Sequence, residues 1–269
     1  MKIELIESIK NYKLTNCIEE MKQELLWSLS CEDQMKDILI VVKDQHEYIQ
    51  NCIESLYKNT SNFNLFIWDN ASEPETAHYL ELVYKQHDNC HLYTSETNEG
   101  FIMPNNRLVK HTVSPYIILL NSDTEVKENW DQVLLGGLQN DPKIGAIGYG
   151  GCLLDENFKG GNVSFNRNID YVAGWCICFN RSILDKFGLF DSQFEFAYCE
   201  DADFGLRLKE AGYDLYAANL DLVLHYENKT VKALINTDQR KILQTYFKKN
   251  HETLTQKWQK RGIATFEAD

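Results

Sequence analysis

Three carboxylates stand close together in the second half of the chain, at Glu200, Asp201 and Asp203. They open a segment with helical spacing, and carboxylates at a helix start are favoured by free backbone N–H groups and the positive end of the helix dipole. That preference explains one acidic residue better than it explains three. Because a positioned carboxylate can take a proton from a substrate, we interpret the cluster as a candidate acid–base site.

A purely structural explanation of the same cluster is an ion pair with solvated caps. Asp203 precedes Arg207 by four residues, which is the spacing of neighbours on one helix face. Gly212 predicts the end of this helix. The predicted apolar face consists of Phe204, Leu208 and Ala211, and the neighbouring polar face consists of Asp203, Arg207 and Glu210.

Short apolar runs alternate with segments of helical spacing from residue 37 to residue 149. The predicted strands are DILIVV, NLFIWD, CHLYTS, YIILLN and IGAIGY, and the predicted helices span 46–58, 74–88, 102–112 and 129–140. This alternation predicts an α/β fold with a mostly parallel, Rossmann-like central sheet flanked by helices. After residue 151, a strand-like YVAGWCICF, a short helix from Ser182 and the acidic helix predict a different topology.

Polar residues at the carboxyl ends of these strands matter most, because ligands of open α/β sheets bind there. Asp69 closes the LFIWD run, where its carboxylate can accept hydrogen bonds from ribose hydroxyls or a base N–H. An Asx turn, or the N-cap of the helix near Pro74, explains Asp69 equally well. The strand-end residues are Asp44, Asp69 with Asn70, Glu96 to Gly100, and Asn121 to Asp123.

A candidate cation site combines the end of one strand with a later histidine. Asp123 follows the apolar YIILL run and can bind a hard divalent cation, which in turn could neutralise a diphosphate. His225 ends the LDLVLH run, and its imidazole could complete a manganese-type site with Asp123. A structural histidine is the alternative interpretation.

Several classes of function lose support. The Gly-x-Gly-x-x-Gly fingerprint, the Walker loop and the Gly-x-Ser-x-Gly elbow are absent, which argues against dehydrogenases, P-loop proteins and hydrolases. The net charge of −13 argues against a nucleic-acid partner. The eight cysteines contain no Cys-x-x-Cys pair, so neither a zinc site nor a disulfide framework is expected. With a charged N-terminus and no run of about 18 apolar residues, the sequence predicts a soluble cytoplasmic protein.

Both ends of the chain predict helical additions. Residues 1–36 carry an apolar stripe that needs a partner surface, and the options are docking on the main domain, a dimer contact or an acceptor platform. The stripe consists of Leu14, Ile18, Met21, Leu25 and Leu29.

The C-terminal addition is basic, since residues 229–261 carry nine basic and two acidic side chains. A basic amphipathic helix can lie on an anionic membrane, which would suit a lipid-linked acceptor. Packing against the main domain, or a homodimer contact, are the alternatives. The predicted apolar face within 235–261 consists of Leu243, Phe247, Leu254 and Trp258.

Between residues 37 and 228 the chain resembles glycosyltransferase family 2, which has the GT-A fold. The segments that carry the resemblance are ILIVVKDQHEYIQNCIESL, FIWDNASEPET, NEGFIMPNN with LLNSDTEV, and AGWCICFNRSILDKFGLFDSQF leading into EDADFGLRLKEAGY. The resemblance implies a GT-A catalytic domain at 37–228, between an N-terminal helical extension at 1–36 and a C-terminal helical segment at 229–269.

The resemblance also implies roles for individual residues. Asp201 would match the catalytic base, and Glu200 would orient rather than react. Asp123 and His225 would contact a Mn²⁺ or Mg²⁺ cofactor. The implied acceptor contacts are Gly174 and Trp175, and the implied contacts to a nucleoside-diphosphate sugar are Val42, Asp44, Asp69, Asn98, Gly100, Asn106, Asn121 and Ser122.

The chain departs from the common pattern of this family at several positions. Lys43 and Asp44 stand where members often carry an aromatic residue or Thr followed by Asn. Asn121 replaces the first acid of the usual Asp-x-Asp, as in members with Asn-Pro-Asp-Thr that often transfer rhamnose or related sugars, while Ser122 replaces the proline of that variant. The Gln-x-x-Arg-Trp motif of processive synthases is absent, which favours transfer of one sugar per encounter.

The implied activity is inverting, metal-dependent transfer of one hexose or deoxyhexose to the hydroxyl of a glycan, lipid-linked or protein-linked acceptor. Polysaccharide biosynthesis in the cytoplasm is the expected setting, with the membrane contact through 235–261 as an option. A sugar-phosphate nucleotidyltransferase is one alternative, but VVKDQHEY lacks the Gly-rich basic loop usual in such enzymes. A degenerate glycosyltransferase-like protein that recruits partners through its helical ends is the other.

Overall fold

The computed structural model of the protein describes residues 18–226 and 238–261. The strands are β1 (Lys36–Val42), β2 (Phe63–Asp69), β3 (Cys90–Thr94), β4 (Tyr116–Leu120), β5 (Thr124–Val126), β6 (Ile144–Gly148), β7 (Gly151–Leu153), β8 (Asn162–Ser164), β9 (Tyr171–Val172), β10 (Cys176–Asn180), β11 (Asp214–Ala217) and β12 (Val223–His225). The helices are α1 (18–30), α2 (His46–Asn59), α3 (Pro74–Gln86), α4 (Ile102–Leu108), α5 (Trp130–Asn140), α6 (Arg181–Phe187), α7 (Glu200–Glu210) and α8 (Asp238–Gln259).

A central sheet of seven strands has the order β11-β6-β10-β4-β1-β2-β3. Neighbouring strands of this sheet pair in parallel except at β10, which runs antiparallel to both β4 and β6. This architecture confirms the predicted α/β fold with a mostly parallel sheet. A three-stranded sheet of β8, β7 and β9 and a ribbon of β5 with β12 complete the strand structure of the described residues.

Helices cover both faces of the central sheet, as the alternation predicts. Successive side chains of β1 point to opposite faces, so Ile38 and Ile40 enter the core under α1, α2, α3 and α5, whereas Leu39 enters the core under α4, α6, α7 and α8. Burying one such aliphatic side chain contributes about 1.5–3 kcal/mol. The two cores therefore hold the helices on the sheet from both sides.

The strand-like YVAGWCICF is divided between two sheets, so the prediction of one strand is wrong. β9 pairs with β7, and β10 crosses into the central sheet beside β4. The chain changes sheets at 173–175, where Ala173 N–H donates to Gly150 O at 2.7 Å and Trp175 O accepts from Asn121 N–H at 2.9 Å. The two bonds join the chain to two different sheets, so residues 171–179 cannot form one continuous strand.

The N-terminal helix docks on the domain through a different face from the predicted one. Ile18, Leu25 and Leu29 are 44%, 51% and 84% exposed and Met21 is half-buried, so the docking option for this stripe is wrong at the three exposed residues. The dimer contact and the acceptor platform stay predictions, and Leu14 lies outside the described residues. The buried face instead carries Trp27, whose ring meets Tyr216 edge-on at 4.9 Å, and Glu24. Because Glu24 is acidic, a search for regularly spaced apolar residues does not identify this face as the buried one.

The C-terminal helix packs on the domain through residues near both of its ends. Leu243, Leu254 and Trp258 are buried, but Phe247 is 47% exposed, and Asn250 takes the buried place expected for an apolar residue. Within 18–226 and 238–261, no helix combines the length and the hydropathy needed to cross a bilayer. The predicted boundary at residues 228 and 229, and the start of the predicted segment at 235–237, lie outside the described residues.

We predict that Glu24→Ala destabilises the protein by about 1–3 kcal/mol, because buried N–H groups lose their acceptor. The carboxylate accepts hydrogen bonds from the N–H groups of Asn219 at 3.0 Å and Leu220 at 3.2 Å, and from the Tyr216 hydroxyl at 3.1 Å. Urea unfolding at neutral pH measures the change. Glu19→Ala is the matched control, since Glu19 lies on the same helix but is exposed, and its carboxylate pairs with the equally exposed Lys22. Equal losses in the two variants would contradict the role of Glu24 in docking.

Candidate active site

A cavity of about 310 Å³ opens at the carboxyl edge of the central sheet. The register places Val42 opposite Asp69, and Asp69 opposite Thr94, so that β1, β2 and β3 end level with one another. The cavity is lined by Val41, Lys43, Asn70, Asn98, Gly100, Phe101, Asn121, Ser122, Asp123, Ala173, Gly174, Trp175, Phe196, Ala197, Tyr198, Glu200, Asp201, His225 and Leu243. Ten predicted site residues therefore come together: Asn98, Gly100, Asn121, Ser122, Asp123, Gly174, Trp175, Glu200, Asp201 and His225.

Asp123 and His225 meet because β5 and β12 form an antiparallel ribbon. Asp123 immediately precedes β5, and the register pairs His225 with Thr124, the first residue of β5. The His225 imidazole lies 3.3 Å from Asp123 Oδ1, measured from Nε2, and stacks on Trp175 at a centroid distance of 4.7 Å. The stacking fixes the plane of the ring, so its nitrogen keeps a defined direction.

The ligand atoms that Asp123 and His225 offer suit a divalent cation. His225 Nε2 is buried and has no hydrogen-bond partner among the described residues, although it approaches Asp123. A neutral imidazole nitrogen and a carboxylate oxygen are both ligands for Mn²⁺. The described residues contain no group of three or more His, Cys, Asp or Glu side chains arranged around a metal position. Two protein ligands suit a cation that takes its remaining ligands from phosphates and water.

Asp201 reaches the cavity from the first turn of α7. Its Oδ2 accepts a hydrogen bond from Gly174 N–H at 3.0 Å, and its Oδ1 accepts from Ala202 N–H at 2.8 Å. Burial raises the pKa of Asp201, and these two N–H groups limit the rise because they stabilise the ionised form. A carboxylate with this environment is a stronger base than an ordinary surface aspartate.

Glu200 is buried beside Asp201 but in a different electrostatic state. Burial, followed by the charge of Asp201, raises the pKa of Glu200 well above its usual range. Its Oε2 atom is buried without a hydrogen-bond partner among the residues that the structure describes. Burial disfavours the ionised form of both carboxyl groups, but the rise in pKa is greater at Glu200, so ionisation of Asp201 is favoured over ionisation of Glu200.

Asp203 is a structural member of the acidic cluster. It is fully buried, so the predicted polar face of the helix is covered at this residue. Its Oδ2 accepts from Arg207 Nε at 2.9 Å, which confirms the predicted pair, while Oδ1 accepts from Trp258 Nε1 at 2.9 Å and from Lys257 Nζ at 2.6 Å. Ala211, predicted on the apolar face, is exposed because it follows the last helical residue. Asp203 therefore joins α7 to α8.

A turn at 98–100 forms another side of the cavity and is held by Asn70. The Asn70 side-chain N–H₂ donates to Asn98 Oδ1 and to Gly100 O, each at 2.8 Å, and its oxygen accepts from Glu99 N–H at 2.7 Å. Gly100 has φ of +80°, and a Cβ atom there would come within 2.4 Å of Phe196 O. Only glycine fits this close approach.

Three predicted donor residues lie beside the cavity lining. Val42 points into the core, whereas its neighbour Val41 lines the cavity. Asp44 accepts a hydrogen bond from Glu73 N–H at 2.7 Å. Asp69 accepts one from Ser72 N–H at 2.9 Å, which is the contact expected if Asp69 forms an Asx turn. Their roles in donor binding stay predictions.

Asn106 is engaged outside the cavity lining. Its side-chain N–H₂ donates to Phe190 O at 2.9 Å, and its oxygen accepts from Phe190 N–H at 3.0 Å. This pair of bonds joins α4 to the segment that precedes α7. The donor contact implied for Asn106 also stays a prediction.

Several residues of the cavity lining lie outside the predicted site, among them Phe196, Tyr198, Leu243 and Lys43. Phe196 and Tyr198 lie between two segments that carry the family resemblance, which end at Phe194 and begin at Glu200, and both adopt positive φ values, of 64° and 79°. The sequence pattern of Leu243 indicates only an apolar helix face. Lys43 departs from the common family pattern, and its ammonium donates to Ala71 O at 2.9 Å.

Two solved structures share the fold. A crystal structure of GalNAc-T7 with UDP, GalNAc and Mn²⁺ has a TM-score of 0.63 and 16% identity, over 71% of this chain and 43% of that chain. The mannosyltransferase PcManGT from Pyrobaculum calidifontis, in complex with GDP-Man and Mn²⁺, has a TM-score of 0.56 and 12% identity, over 78% of this chain and 64% of that chain. These matches confirm the predicted GT-A fold, and the chain spans less than two thirds of the length of either relative.

Sequence comparison adds the family. Among curated protein sequences, none matches the chain significantly. The sequence profile described as glycosyl transferase family 2 matches residues 37–188, from the start of the central sheet to just beyond α6. Because this match covers more than half of the chain and includes the resemblance segments up to Gly188, the protein belongs to glycosyl transferase family 2.

Proposed function

We propose that the protein is an inverting, metal-dependent glycosyltransferase that moves one sugar from a nucleoside-diphosphate sugar to an acceptor hydroxyl. The observation that carries this proposal is that Asp201 shares one cavity with Asp123 and His225. A proton acceptor and a candidate site for the diphosphate are then within the same enclosure. Such an arrangement suits a single displacement, in which the two substrates must be held together.

In the proposed step, the acceptor oxygen attacks the anomeric carbon on the face opposite the diphosphate. The bond between that carbon and the diphosphate oxygen breaks, and the acceptor proton passes to Asp201. General-base assistance of this kind contributes about 10²–10⁴ in rate. The raised pKa of Asp201 brings its basicity nearer to working pH, and burial disfavours a second negative charge on the adjacent Glu200.

Asp123 and His225 are the residues that would hold Mn²⁺ or Mg²⁺. When bound, the cation would stabilise the negative charge that develops on the leaving diphosphate. Asp123 offers a carboxylate oxygen, and His225 offers the buried Nε2 atom that has no hydrogen-bond partner in the described part of the chain. Stacking on the Trp175 ring fixes the direction in which that nitrogen points.

We assign the donor and acceptor sides of the cavity as the family resemblance implies. The turn at 98–100 with Ser122 would contact the donor, and Gly174 with Trp175 would contact the acceptor. The presence of UDP in the GalNAc-T7 structure and of GDP-Man in the PcManGT structure supports a nucleoside-diphosphate donor. We extend the proposal to a hexose or deoxyhexose, a glycan, lipid-linked or protein-linked acceptor, and non-processive polysaccharide biosynthesis in the cytoplasm. Homodimer and membrane contacts through the terminal helices stay predictions.

We predict that Asp201→Asn lowers kcat by about 10²–10⁴, because the amide cannot take the acceptor proton. Donor affinity, measured by calorimetry, should change little. Glu200→Gln should keep most of the activity and the acidic limb of the pH–rate profile, since a glutamine imitates protonated Glu200. In the wild type, that limb should lie above the ordinary aspartate pKa of 3.8, because burial raises the pKa of Asp201. Wild-type turnover by Asp201→Asn would contradict the assignment of the base.

We predict that chelation by EDTA abolishes transfer and that Mn²⁺ restores it. Asp123→Asn and His225→Ala should each weaken Mn²⁺ binding by at least about tenfold, as followed by electron paramagnetic resonance with UDP or GDP present. Glu125→Gln is the matched control, because Glu125 lies two residues from Asp123 but accepts a hydrogen bond from the Tyr226 hydroxyl. Full activity in EDTA would remove the cation from the mechanism.

A further inference from the structure

The segment 195–199, directly before the acidic helix, has an unfavourable backbone conformation. Phe196, Tyr198 and Cys199 have φ values of 64°, 79° and 68°, in the left-handed region that residues with a Cβ atom rarely adopt. Such a conformation persists only where surrounding contacts determine it. Two sets of contacts, on opposite sides of the segment, do so here.

The first set comes from the start of α4. Phe196 O accepts hydrogen bonds from Phe101 N–H at 2.6 Å and from Ile102 N–H at 3.1 Å. Gly100 makes this approach feasible, because a Cβ atom there would overlap Phe196 O. The segment is thereby held against the turn that lines the proposed donor side of the cavity.

The second set comes from one side chain of α8. Asn250 is fully buried; its Oδ1 accepts from Glu195 N–H at 3.0 Å. Its N–H₂ group donates to the carbonyl oxygens of Glu195 at 2.7 Å, Ala197 at 2.9 Å and Tyr198 at 3.1 Å. A single amide thus contacts the backbone of three residues within the segment. The rings of Phe196 and Tyr246 stack alongside, at a centroid distance of 5.0 Å.

The segment borders the cavity next to the proposed base. Phe196, Ala197 and Tyr198 line the cavity that Asp201 enters. Cys199 O accepts from Asp203 N–H at 3.0 Å, which is a first-turn hydrogen bond of α7. A shift of the segment therefore moves both the cavity wall and the helix start that carries the proposed base.

We propose that Asn250 is a positioning residue of the active site, which fixes the 195–199 segment so that its wall and Asp201 receive the acceptor together. This inference rests on the proposed function. It assigns α8, which follows the last residue matched by the family profile, to the acceptor side of the cavity. Leu243 of the same helix lines the cavity directly.

The test compares Asn250→Ala with Leu254→Ala in the full chain. Leu254 is buried one turn later on α8 and packs in the core, so its truncation controls for weaker docking of the helix. In Asn250→Ala, amide hydrogen exchange at 195–199 and at 101–102 should accelerate by at least about tenfold, while Leu254→Ala should leave those amides near the wild-type rate relative to the rest of the protein. Asn250→Asp, which keeps the size and the acceptor oxygen but loses the N–H₂ donors, is the second variant if the alanine variant does not fold.

Steady-state kinetics provide the functional readout. For Asn250→Ala the acceptor KM should rise by at least about tenfold, because the cavity wall formed by Phe196, Ala197 and Tyr198 is no longer held in place. Donor affinity should change by less than about threefold, because Asn70 still holds the turn at 98–100. Leu254→Ala should retain the acceptor KM. Unchanged exchange at 195–199, equal acceleration in both variants, or faster exchange with an unchanged acceptor KM would each overturn the inference. If the wild type transfers no sugar from any nucleotide sugar, the proposed function fails, and the exchange comparison still decides whether Asn250 holds the segment.

Discussion

The arrangement of the active site depends on one antiparallel strand in an otherwise parallel sheet. The parallel strands β1, β2 and β4 end at the same edge, which brings their following turns together. β10 runs the other way, and its first residue, Cys176, pairs with Leu120, the last residue of β4. Gly174 and Trp175, which precede β10, are thereby delivered to the edge where the parallel strands finish. If β10 were parallel, these two residues would lie at the opposite end of the sheet, away from Asp201 and His225.

The three carboxyl groups of the acidic cluster lie in three different environments. Asp203 is buried but paired with Arg207 and Lys257, so its charge is compensated. Glu200 is buried and has no such cation beside it in the described part of the chain, and burial with the neighbouring charge raises its pKa. Asp201 has a raised pKa but also receives N–H groups and faces the cavity. Sequence proximity alone would assign these residues similar roles, whereas desolvation and hydrogen bonding separate them.

Local periodicity predicted much of the fold, and long-range polar contacts account for what it missed. The alternation of apolar runs and helical segments was sufficient for the parallel sheet, and strand ends were sufficient to indicate Asn121 to Asp123. The docking face of α1 depends on Glu24, whose partners lie about two hundred residues away and supply backbone N–H groups. The 195–199 segment depends likewise on Asn250, 55 residues from Glu195. A backbone partner has no side-chain signature, so neither contact could be anticipated from residue types.

The uneven charge of the chain has a structural explanation in these contacts. The C-terminal helix is basic and the preceding domain is acidic, and several of the charges meet across their interface. Lys249 pairs with Glu195, Lys257 with Asp191 as well as Asp203, and Arg261 with Glu210. Exposed pairs contribute only about 0–1 kcal/mol each, but Lys257 and Asp203 are largely removed from water, where losing one partner would leave a buried charge. The basic residues that suggested a membrane surface therefore serve, in part, to hold α8 against the helix that carries the proposed base.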